Sequence, residues 1–322
     1  MADPRLRPTP DYGTLGPASD VDPTSTSRPV SRPVNTRRFG PVLAIAMGVL
    51  LAILTANAGT ARVAWSNFTN LFSAPAAPAV SAKDLRPLDR MKPQKQAEAL
   101  LELAVTHNDG AVDQISSRVG RWQGKVKWDS QIATLTTAAL NSSDMRVRES
   151  GIEVELAAYG LAKNSTSLNY LLQTANSPDH AQRIWALWAL GLMANRGVEV
   201  DHVVQVLIGH LKDTDEDSRR WGVEGLALSG SGQAIEPLLK AMHDDPAASV
   251  RERAACGLAE SGMFTREQRL AAVPQLLSYS DDPSLDAQTH GWAFQALGDI
   301  TRQRLPHDSN AWRSWYESAK GD

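Results

Sequence analysis

Few side chains in this 322-residue chain have types and spacings suited to chemistry: seven histidines, one cysteine and the acidic turn Asp213–Asp217. No histidine belongs to an HExxH or similar zinc spacing. His202 and His210 share a predicted helix but sit eight residues apart, roughly 12 Å along its axis, too far to ligate one ion. The remaining histidines read as surface or packed residues. Cys256 lies in RAACGLAE, a helical context that predicts a buried, inert thiol. A reactive thiolate needs a nearby base and exposure, and the sequence shows neither. One cysteine also excludes an internal disulfide and any multi-cysteine metal site. The acidic turn lacks the EF-hand spacing with a closing Glu at position 12, so it reads as solvated. No catalytic constellation emerges, and no metal or cofactor is expected.

One pattern stands above this background, and it is aromatic. Trp185, Trp221 and Trp292 recur in one register, each two residues after a basic or histidine anchor; Arg253 takes that position in a fourth segment, and Trp188 lies nearby. At 100° per residue the column falls about 120° from the centre of the apolar stripe on the same helices. Two uses fit that place: packing between neighbouring helix pairs, or a Trp/Arg ridge on a concave surface that grips a protein. Tryptophan and arginine dominate interface hot spots. Partial exposure of Trp221 and Arg253 is the expectation that separates the second use from the first.

The elements that position this column emerge from self-similarity. DHAQRIWALWALG (179–191), DEDSRRWGVEGLA (215–227), ASVRERAACGLAE (248–260) and AQTHGWAFQALGD (287–299) align without a gap on Arg183, Arg219, Arg251 and His290. Three positions on stand Ala186, Gly222, Ala254 and Ala293; seven on stand Leu190, Leu226, Leu258 and Leu297. An earlier copy supplies Arg148 and Gly151, with Leu156 displaced by one. A small residue and a leucine one turn apart share a buried stripe, the small one letting a neighbouring helix approach. Second amphipathic segments such as VDHVVQVLIGHLKD and GQAIEPLLKAMHDD lie between these helices. Connectors such as DTDED, DDPAAS and DDPSLD supply aspartates suited to helix N-caps. No stretch alternates with period two long enough for a strand.

The unit is a helix–turn–helix of about 35 residues. It resembles the HEAT repeat family, and within it bacterial membrane-anchored HEAT-repeat proteins. The resemblance rests on turn aspartates followed by a basic residue: Asp144/Arg148, Asp179/Arg183, Asp215/Arg219 and, at longer spacing, Asp245/Arg251. It covers 129–301 and implies an all-α solenoid of HEAT-type helix pairs over 83–322. A further helix pair near 94–106 and 109–121 caps one end. A closing helix, DSNAWRSWYES, caps the other with Trp312, Trp315 and Tyr316 on one face. HEAT arrays serve many tasks. The resemblance implies a protein-binding scaffold or assembly module first. Its alternatives are a lyase-like or metal-dependent enzyme built on the repeats, or a purely structural envelope protein. Iron-dependent hydroxylases of this type use His-Glu dipeptides, and this chain has none.

Upstream, residues 1–38 hold seven of the 18 prolines and read as a disordered tail without a clean PxxP ligand. Residues 39–61 are 23 residues without a charge, about 34 Å as a helix against a hydrocarbon core of about 30 Å. They predict one transmembrane helix. Arg28, Arg32, Arg37 and Arg38 precede it and only Arg62 follows closely. The N-terminus is therefore expected in the cytoplasm and the solenoid outside it, periplasmic in a bacterium. Cleavage after Ala58, in Ala-Asn-Ala, is the alternative. Residues 62–82 form a linker, with Trp65, Phe68 and Phe72 in its first half and a Pro/Ala-rich spacer over 73–82. Residues 83–322 carry 26 basic and 32 acidic side chains. That balance argues against a nucleic-acid partner, which needs clustered Lys and Arg.

Overall fold

Aspartate and asparagine side chains set where many of the helices begin. Asp129, Asn164, Asp179, Asp215 and Asp286 each accept a hydrogen bond from the backbone N–H three residues on, at 2.7–3.1 Å, closing orphan donors of the first turn. Thr265 and Gln268 form a reciprocal capping box. The structure, a computed structural model, describes residues 86–106 and 109–320. Among the described residues every regular element is helical: α1 (Arg86–Asp89), α2 (Pro93–Val105), α3 (Asp109–Trp122), α4 (Ser130–Leu140), α5 (Met145–Ala158), α6 (Ser165–Thr174), α7 (His180–Asn195), α8 (Val200–His210), α9 (Glu216–Ser229), α10 (Ile235–Asp244), α11 (Ala248–Glu260), α12 (Arg266–Leu270), α13 (Val273–Tyr279), α14 (Ala287–Thr301) and α15 (Ser309–Lys320). The expected tail (1–38), membrane span (39–61) and linker (62–82) lie outside the described residues. No described helix is long and apolar enough to cross a membrane.

From α6 onward the chain is a two-layer helical repeat array. Helices α7, α9, α11 and α14 pack side by side in sequence, and α6, α8, α10 and α13 back them as a second layer. The stripe read from sequence is what joins the layers: Ala186, Ala254 and Ala293, with Leu190, Leu226, Leu258 and Leu297, are fully buried, and Gly222 faces Leu207 and Leu211 of the α8 layer. Approach along the first layer is closer still. A methyl on Gly191 would lie 2.4 Å from the Gly225 carbonyl oxygen, and one on Gly225 would lie 2.6 Å from the Leu187 carbonyl oxygen. Only hydrogen fits there. At the next step Gly257 meets Ala227, with 3.0 Å between a Cβ there and the alanine methyl.

The anchor arginines bind the repeats to one another. Each folds one nitrogen back onto its own connector, Arg183 to Ser177 O, Arg219 to Asp213 O and Arg251 to Asp245 O, at 2.8–3.0 Å. The rest of each guanidinium reaches the following repeat. Arg183 meets Ser218 Oγ and Asp215 at 2.7 and 3.2 Å. Arg219 grips Asp245 with Nε and Nη2 at 2.8 and 3.1 Å. Arg251 meets Thr289 Oγ1 and Asp286 at 3.0 and 2.7 Å. The sequence suggests pairing each turn aspartate with the arginine after it; the structure pairs Asp215, Asp245 and Asp286 with the arginine of the repeat before. Asp245 is spent on Arg219 in this way, and α11 starts without a side-chain cap, correcting the N-cap expected in DDPAAS. His290 in the last copy keeps only the connector contact, to Asp282 O at 2.8 Å.

The first copy does not join the ladder. Helices α1–α5 close around a core of their own that runs from Leu88 through Trp122 and Ile132 to Ala157. Arg148 bonds its connector at Ser142 O, but its Nη1 donates to Gly262 O, beyond α11, and not to the α6–α7 turn. Arg196, at the C-terminal end of α7, pairs with Glu149 in the first half of α5 and Glu153 near its middle, at 3.2 and 2.9 Å. Tyr159, just past the end of α5, lies against Trp185 and Trp188 nearer the start of α7. Helix α5 therefore runs antiparallel across α7 instead of stacking in register beside it. At the far end Trp312 is buried, its indole N–H donating to Pro306 O at 2.9 Å. Trp315 and Tyr316 are half-buried on the same helix.

Gly225→Ala is expected to lower stability by about 1–3 kcal/mol through overpacking. Gly291→Ala, in α14 with no atom near its new methyl, is expected to raise it by about 0.5–1 kcal/mol; thermal unfolding reads both signs. Arg219→Ala strands Asp245, whose side chain is 6% exposed, and is expected to cost about 3 kcal/mol. Arg251→Ala releases the 54%-exposed Asp286 and is expected to cost about 1 kcal/mol or less by chemical denaturation.

Candidate functional site: the tryptophan face

On α7, α9, α11 and α14 the face opposite the second layer carries the positions two, five and nine after the anchor. It holds Trp185 and Trp188 on α7, Trp221 and Glu224 on α9, Arg253, Cys256 and Glu260 on α11, and Trp292, Gln295 and Asp299 on α14. The structure divides the tryptophan column expected as one ridge. Trp185 is 5% exposed and Trp188 0%, which removes both from any accessible surface in this structure. Tyr159 packs edge-on against Trp185 and Trp188, with centroids 6.1 and 5.4 Å away, and Trp128 stacks on Tyr159 at 5.3 Å. Tyr170 of α6 adds a tilted contact to Trp185 at 6.3 Å. These two indoles are core residues of a junction that the repeat alignment does not foresee.

The other half of the column stays at the surface. Trp221, Arg253 and Trp292 are each half-buried. Arg253 is not a loose cation: its Nε and Nη2 both bond the buried carboxylate of Glu224 one repeat back. The guanidinium is thereby fixed as a flat, neutralised tile between two indole-bearing helices, and 27% of its side chain stays exposed. A buried carboxylate needs such a partner.

Beside it lies a recess lined by Cys256, Glu260, Trp292, Gln295 and Asp299, with Ala255, Ala259 and Ala296 as its floor. Burial, then the neighbouring Glu260 charge, pushes the Cys256 thiol up to about 11. It is a protonated thiol at neutral pH and not a nucleophile. Burial, then the Asp299 charge and a hydrogen bond between the two carboxyls, raises Glu260 above its ordinary value. Among the described residues no group of three His, Cys, Asp or Glu side chains is arranged to hold a metal ion. Glu224, Gln295, Glu260 and Asp299 escaped the sequence reading, yet the arithmetic that found the column would have reached them three and seven residues further on. Nothing local to Trp128 or Tyr159 announces their contact with α7.

A family profile for HEAT repeats matches residues 168–259, from α6 through α11. Among solved structures, the chain is similar to an engineered protein from a structural genomics consortium at 18% identity, covering 64% of this chain and 96% of that one, with a TM-score of 0.33. It is also similar to a designed armadillo repeat protein in complex with the peptide (KR)4, at 16% identity, covering 64% of this chain and 99% of that one, with a TM-score of 0.33. No curated protein matches the chain.

The divided column makes opposite demands on its members. Trp188→Ala is expected to leave a cavity costing about 3–5 kcal/mol. Trp221→Ala is expected to cost about 1 kcal/mol, since part of its indole already faces water. Denaturant midpoints at constant m-value check the pair.

Proposed function

We propose that this chain is a protein-binding scaffold, held at a membrane through residues 39–61, that engages its partner on the α9–α11–α14 portion of the tryptophan face. The observation that carries the reading is the row Trp221, Arg253, Trp292: three large, half-buried side chains on adjacent parallel helices. They keep planar surface in contact with water although the same helices bury their other large apolar groups. Rigid aromatic and arginine side chains give contact area at little entropic cost, which is why they concentrate the energy of interfaces. The fixed Arg253–Glu224 pair presents the guanidinium without further ordering. Anchoring is supported by the 23-residue charge-free run and the arginines before it, which also support an extracytoplasmic array. The thiol state of Cys256 favours binding over nucleophilic chemistry at the adjoining recess.

The test is crosslinking in intact membranes through a photoreactive side chain placed at Gln295, followed by affinity measurement with the protein so recovered. Trp221→Ala and Trp292→Ala are each expected to weaken that complex by about 2 kcal/mol or more with little change in folding. A complex of unchanged affinity in the double variant would contradict the reading.

A further inference from the structure

The arginines that tie the array together each meet a carboxylate: Arg183 meets Asp215, Arg219 Asp245, Arg251 Asp286 and Arg253 Glu224. Where α11 ends, arginines gather without one. Arg148, from α5, donates Nε to Ser142 O at 2.5 Å and Nη1 to Gly262 O. Its guanidinium lies so close on the Gly262 backbone that a Cβ there would come within 2.9 Å of Cζ. Arg269, from α12, donates Nη1 to Ala259 O at 3.2 Å. Two guanidiniums from distant segments are thus fixed on carbonyls three residues apart at one helix end. Carbonyls at a helix C-terminus attract cations, which accounts for one nitrogen of each. Helix α12 packs on α14, and Arg302, at the C-cap of α14, brings a third cation that is exposed and makes no side-chain hydrogen bond among the described residues.

The charge gathered here is not balanced. Nε of Arg269 is sealed from water with no acceptor among the described residues, although buried donors ordinarily find one. Burial, then the charges of Arg302 and Arg266, disfavours the charged form of Arg269; burial, then the charge of Arg269, does the same to Arg148. The carboxylates nearby are engaged elsewhere. Asp144 attracts Arg148, but its carboxylate holds Arg146 at 2.9 Å. Glu260, on the last turn of α11, shares a hydrogen bond with Asp299. Glu267, beside Arg266 at the rim, bonds back to Thr265 in its own first turn. A guanidinium keeps its proton in a protein, so like charges held this way are relieved by an anion and not by titration.

We propose that Arg148, Arg269 and Arg302 form a phosphate-binding site at the C-terminal end of α11, whose ligand joins α5 to α12 and α14. Planar guanidinium forks match phosphate oxygens in pairs, and a dianion offsets more of three positive charges than one carboxylate does. The phosphate group is the shared chemistry of two sources, a soluble phosphate and a lipid headgroup. The site does not rest on the protein-binding reading.

Equilibrium dialysis of the full-length chain against radiolabelled inorganic phosphate, at fixed ionic strength, tests this. Saturable binding of one phosphate per chain is expected. Arg269→Gln is expected to weaken it about tenfold, the loss of one charge-assisted hydrogen bond. Arg313→Ala, whose guanidinium Asp281 already holds, is expected to leave it unchanged. Should Arg269→Gln fail to fold, Arg302→Gln decides, because it removes an exposed side chain that bonds nothing in the described fold; it is expected to weaken binding several-fold. No saturable binding, or equal affinity in the unmodified chain and the variants at Arg269 and Arg302, overturns the site. Competition then separates the sources. A short-chain phosphatidic acid that displaces the label at far lower concentration than glycerol 3-phosphate identifies a lipid headgroup. Equal displacement by the two, or by neither, identifies a soluble phosphate.

Discussion

The array depends on how closely α7 and α9 approach. Gly191 and Gly225 leave no room for a methyl between the two backbones, and that contact sets the spacing and tilt from which the following repeats continue. Helices this close forfeit side-chain interdigitation at the crossing and gain dense packing in its place. The arginine ladder then works at the other ends of the same helices. Arg183, Arg219 and Arg251 each tie a connector to the next repeat, close to the helix N-termini, while the glycines lie toward the C-terminal halves. One edge of the array is thus held by hydrogen bonds and the body by close approach.

Charge is handled so that the aromatic face stays available. The ladder takes up Asp215, Asp245 and Asp286, and Arg253 takes up Glu224. What remains on the α9–α14 portion is two indoles, a neutralised guanidinium and a small recess in which the Cys256 thiol and the Glu260 carboxyl are shifted toward their uncharged forms. A surface of this kind suits recognition through contact area and shape. Its one thiol is protonated at neutral pH, and among the described residues no group of three His, Cys, Asp or Glu is arranged to hold a metal ion.

Much of this was legible in the sequence because it is periodic. The repeat length, the small-residue and leucine stripe, the closing helix with Trp312 and the tryptophan register all follow from spacing alone, and the array from α6 onward has the architecture that spacing predicts. The departures are all non-local. Arg148 aligns with the other anchors, since α5 has the same internal pattern, yet its partner lies 114 residues away. Local pattern specifies which face of α5 is apolar but not which surface that helix lies across. Trp185 and Trp221 share a register for the same reason, and they differ in exposure because, among the described helices, α7 is the one that α5 crosses. The direction of the Asp–Arg pairs, from one repeat to the next, likewise depends on the spacing between helices and not on residue types.

The central claim is that α5 crosses the tryptophan face of α7 and does not stack beside it in register. A double-mutant cycle between Tyr159→Leu and Trp188→Leu, read by equilibrium denaturation, addresses that contact directly. An edge-to-face pair in this setting predicts a coupling energy of about 0.5–1.5 kcal/mol, with Tyr159 and Trp221 uncoupled as a control. Strictly additive effects at Tyr159 and Trp188 would contradict the crossing, and with it the division of the tryptophan face.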